Sequence, residues 1–140
     1  MGEGPGIKAV LDTNVVVSAV RHGSVTRQVA EAWHQRRFHW LVSQEILDEY
    51  IRVLAYPKFR LDQHEILVVL NKAILPYTQV VRVRSQVRMA PDPSDNKFLA
   101  CAVDGQADYL VSGDHRLLAV KRYRHVRVVG VAEFLHVLAS

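Results

Sequence analysis

Short apolar segments rich in β-branched residues alternate with segments of helical periodicity along the whole chain, and this alternation constrains the fold more than any other feature. The predicted strands are residues 7–11, 38–42, 78–83, 108–112 and 126–129. The predicted helices are residues 15–20, 26–36, 43–54, 61–75, 92–104, 116–119 and 131–138. Strands separated by helices favour right-handed βαβ units and a mostly parallel sheet. We therefore expect an α/β fold.

The length of 140 residues fits one domain, which we place at residues 7–140 after a flexible leader at residues 1–6. Nearly half of the residues are apolar, enough for a real core. We expect no membrane span, because no run of about 18 apolar residues occurs. The leader lacks the features of a secretory signal. The single cysteine, Cys101, forms no internal disulfide and suits a reducing cytoplasm, where we interpret it as a small core residue.

The chain is basic, with a formal net charge of +4. Lysines and arginines concentrate at residues 36–37, 82–88 and 121–127. A positive field of this kind attracts polyanions such as nucleic acids. Each cluster taken alone is equally well explained as solvated surface.

Two acidic residues follow predicted strands directly. Asp12 ends the first strand, and Asp114 comes two residues after the fourth. In open parallel sheets, sites form beyond the carboxyl ends of the strands, so the fold is expected to bring these two side chains together. The alternative is that each acid only caps the helix that follows it. We favour a functional role for Asp12, because a carboxylate at the end of a buried strand is costly without a partner.

A third acid opens the predicted helix at residues 92–104. Asp92 and Pro93 fit the N-cap and the first helical position, which leaves Asp95 in the first turn. An acid there complements the helix dipole, and this explanation needs no function. Asp95 becomes a site residue only if the start of its helix points into the same cleft. Asp92 is the competing candidate in this segment.

The helix at residues 43–54 carries the fourth candidate. Glu45 lies nearly opposite the apolar stripe of this helix, whereas Asp48 and Glu49 flank the stripe on either border. Periodicity therefore makes Glu45 a poor candidate but does not separate the other two, and a solvated helix face is the default for either. The stripe itself consists of Ile46, Leu47, Tyr50, Ile51 and Leu54.

Gathered carboxylates repel one another at close range. They are stable only if some are protonated or if a hard cation lies among them. Together with the basic charge of the chain, such a cluster indicates metal-assisted chemistry on a phosphate-containing substrate.

At these acids the sequence resembles the PIN-domain family of metal-dependent ribonucleases. The likeness lies in residues 10–15, 43–50, 92–100 and 107–114, where the last two stretches are the more specific. It implies a PIN-like three-layer α/β/α sandwich. It also places the second acid at Glu49. The residues that it implies as ligands of Mg²⁺ or Mn²⁺ are Asp12, Glu49, Asp95 and Asp114, with Thr13, Asn14 and Ser112 as supporting polar residues.

Many members of the family are VapC-type toxins of toxin–antitoxin pairs, so the resemblance implies a cytoplasmic endoribonuclease that forms homodimers and binds an antitoxin. We expect Lys121, Arg122 and Arg124 to position the RNA backbone. The sequence departs from the family at Arg116, where many relatives have another acid. That difference weakens the expectation of a second tightly held metal.

Two other functions fit parts of the pattern. In a haloacid-dehalogenase-like phosphatase, Asp12 would be a nucleophile, but Asn14 stands where that family has its general acid. In a non-catalytic PIN-like module, the chain would bind RNA without cleaving it. The presence of all four acids argues against this second alternative.

Overall fold

A computed structural model describes residues 6–21 and 25–140, with the side chains of all of these except Val25. Most of the predicted leader and the predicted helix break at residues 22–24 lie outside the described residues. The strands are β1 (Lys8–Leu11), β2 (His39–Val42), β3 (Thr78–Val80), β4 (Tyr109–Val111), β5 (Arg122–Tyr123) and β6 (Val126–Val129). The α-helices are α1 (Thr13–Arg21), α2 (Val25–His34), α3 (Gln44–Leu54), α4 (Gln63–Val68), α5 (Asn96–Asp104), α6 (His115–Leu118) and α7 (Val131–Ala139).

The six strands form one sheet in the order β3-β2-β1-β4-β6-β5. Every neighbouring pair is parallel except β5 and β6. Helices pack on this sheet as the outer layers of a three-layer α/β/α sandwich, so the predicted fold class is confirmed. None of the helices in the described part of the chain is long and apolar enough to cross a lipid bilayer.

The core lies between the sheet and its helices. Trp33 of α2 packs against Trp40 of β2 with ring centroids 4.4 Å apart, and Phe38 meets Phe134 edge to face. Cys101 is also fully buried, as predicted, and this burial raises the pKa of its thiol to about 12. A thiol of this kind is inert, because the nucleophile is the thiolate.

The predicted helix at residues 61–75 is only partly correct. It begins as α4, continues as a π-helical turn over Val69–Ile74, and passes into a 3-10 turn over Leu75–Tyr77. Pro76 was expected to end the helix, but it lies inside the 3-10 turn. Proline is tolerated in a first turn because the N–H group that it lacks would have no partner there.

Two details of the elements go beyond the prediction. Strand β5 was not predicted, since two residues are too few for any alternation to show. The sequence predicts that Gly105 ends the helix at residues 92–104, and Gly105 is the C-cap of α5, although its φ is −87° and the left-handed residue is Gln106. The glycine is needed for packing instead, because a Cβ there would lie 2.7 Å from Leu41 Cδ1 and 2.8 Å from Val81 Cγ2.

Candidate active site

Two predicted site residues meet at the carboxyl edge of the sheet. Strands β1 and β4 are parallel neighbours with Leu11 opposite Val111, so the residues that follow them emerge side by side. The fully buried Ser112 hydroxyl donates a hydrogen bond of 2.7 Å to Asp12 Oδ2. The same hydroxyl oxygen accepts the backbone N–H of Asp114 at 3.0 Å. Ser112 therefore links the two acids.

Asp12 is 6% exposed at the base of the site. Burial raises the pKa of its carboxyl, and the nearby Glu49 and Asp114 carboxylates raise it further, against hydrogen bonds from Ser112 and Thr13 that lower it. The preceding backbone is held by the buried Tyr50 hydroxyl, which donates to the Leu11 carbonyl at 2.6 Å. The end of β1 is thus fixed to α3.

Glu49 projects from α3 toward this edge. Its Oε2 accepts a hydrogen bond from the Thr13 hydroxyl, and its Oε1 lies 2.6 Å from Lys97 Nζ and 3.3 Å from Arg52 Nη2. Asp48 is exposed, where it accepts a hydrogen bond from Gln44 on its own helix. The structure therefore separates the two acids that helical periodicity left equivalent.

Asp95 and Asp92 lie at the start of α5, which is preceded by a 3-10 turn over Pro93–Asp95. Asp92 is the N-cap of the 3-10 turn with Pro93 directly after it, as the capping pattern predicted, whereas Asp95 holds the N-cap position of α5 itself. Hydrogen bonds from the backbone and hydroxyl of Ser94 lower the pKa of the Asp92 carboxyl. Asp95 makes no capping hydrogen bond. Burial raises the pKa of Asp95 to about 6, with further contributions from Asp12, Asp92, Asp114 and Glu49. Asp95 thus lies in the electric field of the other predicted acids.

All four predicted acids line one cleft with a volume of about 350 Å³. We call Asp12, Glu49, Asp95 and Asp114 the acidic wall. Thr13, Asn14, Asp92 and Ser94 also line the cleft, together with five residues from α3 and the turn after it that we call the aromatic wall: Arg52, Val53, Tyr56, Lys58 and Phe59.

Asp114 lines the cleft and also caps the helix that follows it, which was the alternative role predicted for it. It is the N-cap of α6, and its Oδ1 accepts the backbone N–H of Arg116 at 2.8 Å. Gly113, expected to allow a sharp turn, does not use a positive φ. The predicted RNA contacts Lys121, Arg122 and Arg124 lie outside the lining of this cleft.

The donor chemistry of the acidic wall fits a hard divalent cation, because carboxylate oxygens are the ligands that Mg²⁺ prefers. Burial is the main cause of the raised pKa of Asp95, and the repulsion from nearby carboxylates that adds to it is the electrostatic condition that such an ion relieves. Within residues 6–21 and 25–140, however, no three acidic, histidine or cysteine side chains converge closely enough to form a finished ligand set. Glu49 and Asp114 instead direct oxygens to Lys97 Nζ and to the Arg116 N–H group.

Sequence inspection did not identify Lys97 or the aromatic wall. Lys97 is on the first turn of α5, and its side chain is only 8% exposed because its ammonium group reaches Glu49 on α3. A pairing across 48 residues has no local pattern. The sequence does indicate the aromatic wall weakly, because Tyr56 and Phe59 flank Pro57 and Lys58 just after a predicted helix.

Comparison with known proteins gives one family and several structures. The family model described as PIN domain matches residues 8–116. No curated protein matches the chain. The crystal structure of PAE2754 from Pyrobaculum aerophilum is similar, with a TM-score of 0.64 and 17% identity over 95% of this chain and 90% of that one. The crystal structure of VapBC2 from Rickettsia felis, bound to a DNA fragment from the promoter, has a TM-score of 0.61 and 14% identity over 89% and 98% of the two chains. At these identities the two structures support the fold alone.

Proposed function

The chain belongs to the PIN-domain family, and on that premise we propose that it is a metal-dependent endoribonuclease. It would hydrolyse phosphodiester bonds of RNA, with Mg²⁺ or Mn²⁺ as its cofactor. We further propose that it is the toxin of a toxin–antitoxin pair.

One observation carries the catalytic proposal: four acids from four separate segments line the same cleft. They lie at positions 12, 49, 95 and 114, and each reaches the cleft from a different element of the fold. The pKa of Asp95 responds to the other three. A stable fold has no structural use for such repulsion, so the arrangement is best explained by chemistry that needs gathered negative oxygens.

Asp12, Glu49, Asp95 and Asp114 would hold the ion. A bound divalent ion supplies charge neutralisation at the phosphate and makes water a stronger nucleophile. The chain itself supplies the positioning. Ser112 orients the Asp12 carboxylate, whereas Thr13 and Lys97 fix the two oxygens of Glu49.

Basic side chains would hold the RNA backbone near these acids. Arg52 and Lys58 line the cleft itself, so they are suited to contact phosphates close to the reacting one. Lys121, Arg122 and Arg124, on the hairpin formed by β5 and β6, remain our prediction for more distant phosphates. These contacts set affinity and salt dependence rather than sequence preference.

The toxin proposal rests on the family and on the similarity in fold to a VapBC2 complex. It includes an antitoxin that covers the cleft and a homodimer of this chain. The residue that departs from the family pattern, Arg116, has its guanidinium 4.0 Å from Asp92 Oδ2 at the start of α5. An arginine there adds positive charge beside the acids, which favours one metal ion over two.

The proposal is tested by incubating single-stranded RNA with the purified protein in Mn²⁺, Mg²⁺ or EDTA, beside Asp12→Asn and Asp95→Asn. We expect cleavage by the wild type in the presence of either ion, none in EDTA, and a large loss in both variants. Binding of RNA without metal-dependent cleavage would instead establish a non-catalytic module. A phosphorylated Asp12 would establish the phosphatase alternative.

A further inference from the structure

We infer that the aromatic wall is a nucleobase-binding subsite, in which Tyr56 stacks on one unpaired base and Lys58 and Arg52 contact the flanking phosphates. This inference rests on the proposed function and assigns the residues that would hold an unpaired strand. Five observations support it, four on the segment from the end of α3 to residue 60 and one on the neighbouring Arg21.

The exposure of Tyr56 is the first observation. In the described part of the chain, it is the most exposed phenylalanine, tyrosine or tryptophan, at 44%. The two tryptophans and Tyr50 are fully buried. Tyr56 therefore exposes apolar ring surface to water in the same cleft that the acidic wall lines. In proteins that bind single strands, unpaired bases stack on exposed aromatic rings.

The second observation is the rigidity of the turn that presents this ring. Pro57–Phe59 forms a 3-10 turn, in which the proline ring fixes φ. Phe59 is half buried and packs against the hydrophobic core, which anchors the turn to the domain. The backbone beside Tyr56 is therefore ordered before a base binds, so stacking would order only the Tyr56 side chain.

Backbone strain is the third observation. Arg60 ends the turn at a φ of 55°, in the left-handed region that residues with a side chain rarely adopt. Such a conformation is unfavourable for a residue with a side chain and persists only where the surrounding structure holds it. Here the left-handed residue reverses the chain directly after Phe59 and so keeps the turn against the cleft.

The fourth and fifth observations concern charge. Lys58 and Arg52 line the same cleft as Tyr56, and the Lys58 ammonium lies 5.1 Å from the centre of the Phe59 ring. Arg21 lies over the same ring at 4.8 Å, so positive charge surrounds this turn on two sides. Alternation of aromatic and basic side chains is the composition that recognises single strands, through stacking on bases and attraction of phosphates. Bases in a duplex are already stacked and would gain nothing from Tyr56.

The test measures binding of a fluorescein-labelled oligouridylate and of its duplex with oligoadenylate by anisotropy, in an Asp12→Asn background and in EDTA, where we expect no cleavage. Tyr56→Ala and Tyr56→Leu should each weaken binding of the single strand about tenfold, because neither offers a π face. Tyr56→Phe should bind as the parent does. Affinity for the duplex should be the same in all four proteins.

Tyr77→Ala is the matched control. Tyr77 also lies beside an arginine, with Arg36 4.9 Å from its ring centre, but it precedes β3 at the amino edge of the sheet, away from the acids. Its removal should leave single-strand affinity unchanged.

Equal affinity of the parent, Tyr56→Ala and Tyr56→Leu for the single strand would overturn the inference, even if the wild type cleaves RNA and the proposed function stands. Equal losses for the single strand and the duplex would also overturn it, since they would indicate a general contact rather than stacking. If the parent binds no RNA and the wild type cleaves none, the proposed function fails and this inference fails with it.

Discussion

The two walls of the cleft are built in opposite ways. The acidic wall takes one residue from each of four distant segments, and only the parallel sheet and its helices bring them together. The aromatic wall is one continuous piece of chain, from Arg52 at the end of α3 to Phe59. The first wall therefore depends on the whole fold and on a counter-charge, whereas the second depends mainly on a local turn. Helix α3 joins them, with Glu49 and Arg52 in contact at 3.3 Å.

This difference indicates that the acidic wall serves catalysis and the aromatic wall serves RNA binding. The acids repel one another and gain from an added cation, so changes to them should alter catalysis, stability and pH dependence together. The aromatic wall needs no bound cation for its stability, so changes to it should alter RNA affinity alone.

The largest difference should be in catalysis. Asp12→Asn removes a charge at the base of the acidic wall and should lower the single-turnover rate of Mn²⁺-dependent RNA cleavage about 10²- to 10³-fold, as expected for loss of one preorganised electrostatic group. Lys58→Ala in the aromatic wall should lower it less than about tenfold at saturating RNA, because it contributes to binding. Similar losses in the two variants would show that the walls do not differ in this way.

The next effect concerns stability. The Lys97 ammonium and the Glu49 carboxylate form a pair with side chains 8% and 13% exposed, 2.6 Å apart. Lys97→Met should lower the free energy of unfolding in EDTA by about 3 kcal/mol, because the Glu49 carboxylate loses its buried cationic partner and keeps only the exposed Arg52 as a counter-charge. This is measured by urea denaturation.

Its control is a double-mutant cycle. In a Glu49→Gln background, Lys97→Met should cost much less, since no carboxylate is left unpaired. Additive losses would show that Lys97 contributes only through packing. Arg52→Met, on the exposed side of the same carboxylate, should have little effect in either background.

A smaller effect is expected in the pH dependence of stability. The pKa of Asp95 is raised from 3.8 to about 6, so the folded protein binds this proton more tightly than the unfolded chain does. The free energy of unfolding in EDTA should therefore fall as the pH rises from about 4 to about 6. Asp95→Asn should remove about 1 kcal/mol of this fall, a discounted figure because the side chain is partly exposed. Denaturation curves across this range measure it.

Asp92 supplies the control of opposite sign. The pKa of its carboxyl is lowered, mainly by hydrogen bonds from Ser94, so Asp92 stabilises the fold above its unfolded pKa and this stability is lost as the pH falls. Asp92→Asn should thus reduce stability at neutral pH and not at low pH. If both variants changed the pH profile in the same direction, the field that we assign to the acidic wall would be wrong.

The smallest effect should be in salt dependence. Lys58→Ala should reduce the slope of log affinity for single-stranded RNA against log salt concentration by about 0.7, the loss of one phosphate contact. Lys72, exposed on the π-helical turn and outside the cleft lining, is the matched control. An unchanged slope in Lys58→Ala would remove this residue from the RNA path.

The sequence was sufficient to predict the position of a site residue where that position depends on the topology of the sheet. Asp12 and Asp114 follow strands that are parallel, and the carboxyl ends of such strands meet wherever the helices lie between them. The alternation of patterns therefore determines both the fold class and the edge of the sheet that holds the site. Asp92 was likewise placed correctly as an N-cap, because the capping pattern is local.

Position was not predictable where it depends on contacts between distant residues. Asp48 and Glu49 are equivalent by helical periodicity, and the partners of Glu49, Thr13 and Lys97, lie 36 and 48 residues away. The exposure of Tyr56 is a property of the packed surface that no local pattern reveals. The role of Gly105 is similar, since Leu41 and Val81 approach it from other parts of the chain.

The central claim is that the four acids form one divalent-cation site, and calorimetric titration of Mn²⁺ into the RNA-free protein tests it most directly. The account predicts a binding isotherm for the wild type that is abolished or greatly weakened in Asp12→Asn, Glu49→Gln, Asp95→Asn and Asp114→Asn alike. Asp48→Asn and Tyr56→Ala should bind Mn²⁺ as the wild type does. Wild-type protein that binds no Mn²⁺, or four acid variants that bind it as well as the wild type, would contradict the account.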